Sequence, residues 1–221
     1  MQTDKIRIHE KGIGRENALA ETARFSEYMG LDPKSARRVR LLVEEAVGMV
    51  DAITENFDAD FWLEGTKDGM CRIHIALKTD MDIAKKRELI DASKSKKNAA
   101  YGGFMGRIRE LIEDSIYFNG DGTPQEEWWA GGSRRQEYVM MGMTNMSMAP
   151  GAPMPMDDYI WSLENYRQGV EAAKENDDKA EAAWDELEKS IVANIADDVK
   201  VSVKGNAAEV VVEKKFAAVN R

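Results

Sequence analysis

Val39, Leu42, Ala46, Met49, Val50 and Ile53 recur three or four residues apart, the spacing of one buried stripe along an amphipathic helix. Asp32 followed by Pro33 is a start signal for that helix, because the aspartate can cap it and proline suits its first turn. A preceding helix over about residues 16–29 is predicted to stop at Gly30. Strand signals surround the pair. Ile6 and Ile8 alternate with Lys5, Arg7 and His9, giving a short first strand broken by Gly12 and Gly14. Phe61 and Leu63 precede Lys67, Asp68 and Gly69, and Cys71, Ile73, Ile75 and Leu77 follow on alternate positions, which predicts a hairpin with one buried face. Val199, Val201 and Val203, a turn at Lys204, Gly205 and Asn206, and a return over residues 210–212 predict a second hairpin.

Between the hairpins, residues 157–194 carry spaced apolar positions, among them Ile160, Leu163, Tyr166, Val170, Trp184, Leu187 and Ile191. They predict two helices broken near residues 175–178. Strands at both ends of the chain and amphipathic helices between them predict an α+β fold, a two-layer sandwich whose mixed or antiparallel sheet carries helices on one face.

Composition narrows the function. With 221 residues and 43% hydrophobic content, the chain can bury a sizeable core. A net charge of −9 argues against a nucleic-acid partner, since phosphate backbones are held by concentrated Lys and Arg. The opening residues lack the apolar core of a secretory signal and no run is long enough to span a bilayer, so the expected location is the cytoplasm, with no membrane partner. Cys71 is the single cysteine and falls on a predicted strand, where it reads as a small core residue. His9 and His74 have no second ligand at a metal-binding spacing and read as structural.

Residues 139–156 gather Met140, Met141, Met143, Met146, Met148, Met154 and Met156 among glycines and prolines. Such a run can hold copper(I) through thioethers or present a deformable apolar surface; without an accompanying His and Cys cluster, partner binding or self-association is favoured. Trp128 and Trp129, beside Gly131 and Gly132, suit either an interface anchor or a cap on a core edge.

Residues 38–77, read with the segment before them, resemble the start of a GHKL-type ATPase domain, the class that includes histidine kinases and heat-shock chaperones, and most of all the bacterial serine-kinase anti-sigma factors. The resemblance rests on a strand, two helices and further strands, with LLVEEAVGM on the second helix. It implies the same two-layer sandwich over residues 1–118 and 195–221, closed by the last hairpin, with residues 119–194 as a mainly helical, Met-rich insertion. In the family a glutamate on this helix orients or activates the attacking group, which implies Glu45 as the catalytic candidate; a surface charge with no such role is the alternative. The family's magnesium-binding asparagine falls at Met49, and a thioether is a poor donor to a hard cation, so no metal ligand is assigned.

The resemblance further implies ATP as cofactor. Asp80 takes the place of the adenine-reading aspartate, though the glycines that follow it in the family are Asp82 and Ala84 here. Lys94, Lys96, Gly102, Gly103 and Gly106 form the counterpart of the phosphate-facing lid and helix start, where amides and lysines attract an anion. The functional expectation is a regulatory protein with altered or lost catalysis, acting on a protein partner that by analogy is a sigma factor or its antagonist, or on a second copy of itself. An active serine-protein kinase, and an assembly protein that binds no nucleotide and uses the Met-rich insertion, are the alternatives.

Overall fold

The computed structural model describes residues 1–9, 14–52, 57–79, 161–175, 178–204 and 207–217. Among these the elements are β1 (Ile6–Ile8), α1 (Arg15–Tyr28), α2 (Pro33–Ala52), β2 (Phe57–Gly65), β3 (Met70–Thr79), β4 (Trp161–Ser162), α3 (Leu163–Ala173), α4 (Asp178–Lys189), α5 (Ile191–Ile195), β5 (Asp198–Lys204) and β6 (Ala207–Lys215).

Local chemistry sets the helix ends. Gly14 opens α1 with φ +90°, and its carbonyl accepts from the Ala18 amide. A Cβ there would stand 2.2 Å from the Arg7 carbonyl oxygen, so only glycine lets the start of α1 lie against β1. At the other end Gly30, at φ +67°, donates to the Glu27 carbonyl while Leu31 donates to that of Ser26, the paired bonds of a left-handed helix stop. Asp32 then caps α2: its Oδ1 accepts from the Lys34 and Ser35 amides at 2.8 and 3.2 Å, with Pro33 at the first helical position. These caps hold the carboxyl of Asp32 below its ordinary range, chiefly through the Ser35 hydroxyl.

The sheet runs β1-β2-β3-β6-β5-β4, and every neighbouring pair is antiparallel. Of the two arrangements open from sequence, mixed or antiparallel, the described strands form the second. Side chains alternate across the pleat. Ile8, Phe61, Leu63, Cys71, Ile73, Ile75, Leu77, Val199, Val201, Val210 and Val212 are buried in one cluster with Phe25 of α1, the Val39, Leu42, Val43, Ala46 and Val47 stripe of α2, and apolar residues of α3, α4 and α5. Burial pushes the Cys71 thiol up to about 12, in keeping with a packing role.

Residues 161–195 join this same core. Trp161 pairs with Val201 and Ser162 with Lys200, and Leu163, Tyr166 and Val170 of α3 are buried in the shared cluster. Ser162 caps α3 by accepting from the Asn165 amide, and Ser190 caps the short α5 by accepting from that of Ala193. The helix α5, beyond the two expected between residues 157 and 194, arises because Ser190 stops α4 and restarts the chain. The Met-rich run and the paired tryptophans lie outside the described residues.

Candidate functional site

Of the residues assigned to a site from sequence, Glu45 is described; Asp80, Lys94, Lys96, Gly102, Gly103 and Gly106 lie outside the described residues. Glu45 sits on α2 at the border of its buried stripe, beside Ala46, and is partly exposed with no ion-pair or hydrogen-bond partner among the described residues. Magnesium takes hard oxygen donors, often one or two carboxylates completed by water and phosphate, and Glu45 would supply one of them. Among the described residues no group of three or more His, Cys, Asp or Glu side chains is arranged to hold a metal.

The structure gathers a second set of polar side chains that sequence spacing left apart. They occupy the sheet face opposite the apolar cluster. Trp62 of β2 and His74 of β3 are cross-strand partners, and their rings stack with centroids 4.7 Å apart. His74 Nδ1 lies 2.9 Å from Glu209 Oε1 of β6, and its Nε2 lies 3.4 Å from Glu64 Oε2 without hydrogen-bonding geometry. One step along, Glu213 accepts from Arg72 Nε and Lys200 Nζ, each at 2.9 Å. Burial pushes the Glu213 carboxyl up, but the hydrogen bonds and charges of Lys200 and Arg72 outweigh it and hold the group below the usual glutamate range.

Hairpin register was the signal that could have revealed this face. With Gly65 opposite Cys71, alternation alone places Glu64, Trp62, Arg72 and His74 together. The contribution of β6 required knowing that a strand more than a hundred residues away pairs with β3. On this face the carboxylates are matched to cations or to His74, an arrangement that ties strands β2, β3, β5 and β6 laterally. Ser202 of β5 lies opposite Glu209 on this face, and no hydrogen bond joins its hydroxyl to a base among the described residues.

Comparison with protein-family models, with curated proteins and with solved structures finds no match. Among the described residues no helix is long and apolar enough to cross a membrane.

Proposed function

We propose that this chain is an ATP-binding regulatory protein built on a GHKL-type scaffold, with catalysis altered or lost, that acts by binding other proteins in an anti-sigma-like pathway. The observation that carries this reading is the element sequence β1-α1-α2-β2-β3 closed by the β5-β6 hairpin beside β3, with the helices on one face, as the family resemblance implies. Support for lost catalysis comes from α2. Four residues beyond Glu45, where the family places a metal-binding asparagine, the chain has Met49. Phosphoryl transfer depends on metal and positioning, so this favours regulation over kinase activity.

Calorimetric titration of the purified chain with ATP and ADP, with and without magnesium, tests the reading. Saturable binding near or below millimolar, equal in both conditions, is the expected result. Binding that requires magnesium, with transfer of phosphate to a protein serine, would establish the kinase instead. No binding in either condition would leave a scaffold that works through protein contacts alone.

A further inference from the structure

The charges of α2 run against its own dipole. A helix is stabilised by acidic side chains near its N-terminus and basic ones near its C-terminus. Here Lys34, Arg37, Arg38 and Arg40 occupy the first half and Glu44 and Glu45 the second, with no acidic residue in the first turn and no basic residue in the last. Asp32 caps the N-terminus with negative charge, but the order of charges within the helix itself runs against the dipole. Arg40 is engaged by Glu44 at 2.9 Å within the helix. Lys34, Arg37 and Arg38 are exposed and have no ion-pair partner among the described residues.

Leu41 stands at the centre of this outward face and is 38% exposed, on the side of the helix away from Val39, Leu42, Val43, Ala46 and Val47. Residues seven apart complete nearly two turns and share a flank. Arg37 and Glu44 thus flank Leu41 on one side, Arg38 and Glu45 on the other. Lys34 and Gly48 lie seven residues before and after Leu41 along the same face. A Cβ added to Gly48 would meet nothing within 4 Å, so the helix surface is open there.

We propose that this face of α2 is an isologous docking surface for a second copy of the chain. A two-fold axis between two α2 helices, perpendicular to both and level with Leu41, sets them antiparallel. Leu41 then packs on Leu41 of the second copy. Arg37 meets Glu44 of the second copy, Arg38 meets its Glu45, and the Lys34 stem crosses the gap left by its Gly48, each contact occurring twice. The pattern reads the same from either helix, which is what a two-fold contact requires and what an unrelated acidic partner would not. The charge of −9 on each chain opposes association at long range, so the matched pairs must offset a general repulsion. A single helix pair falls in the small, transient class of interface, below about 1,200 Å² in total. This inference stands on α2 alone and does not depend on nucleotide binding.

Sedimentation velocity of the full chain over a concentration series is the test, with circular dichroism to verify folding of each variant. The expected result is a reversible monomer–dimer equilibrium. Arg38→Glu and Glu45→Arg should each weaken it at least about tenfold, because each sets like charges opposite one another twice. Mixing the two variants should restore a dimer, since the two reversed positions then face one another with opposite charge and the native pair re-forms at the second site. The double variant should likewise recover. Leu41→Cys should give an oxidised covalent dimer, with Cys71 buried in the core. A chain that remains monomeric throughout, or a dimer indifferent to both charge reversals, would overturn the proposal.

Discussion

The indole of Trp62 lies flat against the imidazole of His74, the ring planes only 8° apart. The stack bridges β2 and β3 on the polar side of the sheet, and Lys5 Nζ stands 4.3 Å from the Trp62 ring centre. Trp62 is 9% exposed, on the face that lacks the apolar cluster. Trp62→Ala should cost about 2–3 kcal/mol, less than a tryptophan lost from the deep core, while Trp62→Phe should retain much of the stack. Urea unfolding of the two variants checks this; equal losses would mean that the aromatic contact adds nothing.

Gly14 gives a sharper expectation. Its φ of +90° and the Arg7 carbonyl 2.2 Å from a would-be Cβ make any side chain both strained and obstructed. Gly14→Ala should destabilise by about 3 kcal/mol, read as a lower denaturation midpoint with an unchanged slope. A loss within a few tenths of that of an exposed helix substitution would contradict the close approach of α1 to β1.

Asp198 and Glu213 are cross-strand partners whose carboxyls are displaced in opposite directions. Glu213 is held down by Lys200 and Arg72 against the effect of burial; Asp198 is raised, chiefly by burial, against the pull of the Glu164 and Val199 amides. The lowered group adds stability that is present above the ordinary glutamate value of 4.5 and is lost as pH falls through its folded value. The raised group acts in reverse: its favourable contribution is complete below 3.8 and disappears as pH rises through its folded value. Glu213→Gln should therefore lose stability at neutral pH and converge on wild type in acid. Asp198→Asn should match or exceed wild type at neutral pH and lose that advantage in acid. Thermal melts from pH 2 to pH 7, roughly spanning both carboxylate ranges, distinguish these trends.

Ser162 occupies the junction where β4 becomes α3, and its hydroxyl accepts from the Asn165 amide at 3.3 Å. Ser162→Ala should cost about 1 kcal/mol, and Ser162→Asp should recover most of it by restoring an acceptor near the positive end of the helix. Chemical denaturation supplies the measurement, and a silent alanine would remove the cap from the account of this junction.

What could be read from residues alone follows the range of the interactions. Gly30, the Asp32-Pro33 pair and the alternation from Cys71 to Leu77 act over a few positions, and the α1 stop, the α2 start and the β2–β3 hairpin lie where those signals place them. Trp161 and Ser162 form a strand of two residues, too short for a period, and only pairing with β5 defines it. The adjacency of β3 and β6 is also invisible locally, because both are apolar strands that would suit several neighbours. At α2 the buried stripe is legible from apolar spacing and sets Glu45 at its border, whereas the charges of the outer side repeat at a seven-residue interval that apolar spacing does not register. The remaining nucleotide-site assignments fall on residues outside those described.

The pairing of β3 with β6 has a consequence for the chain as it is made. Residues 70–79 leave the ribosome long before residues 207–215, which must cover their open edge. At translation speeds of roughly 5–20 residues per second, the interval is on the order of ten seconds. For that time β3, with Ile73, Ile75 and Leu77, presents unpaired amides and carbonyls together with an apolar surface. A nascent chain halted before β6 emerges is thus a natural client for chaperones, and C-terminal truncation should yield aggregates rather than a smaller folded unit.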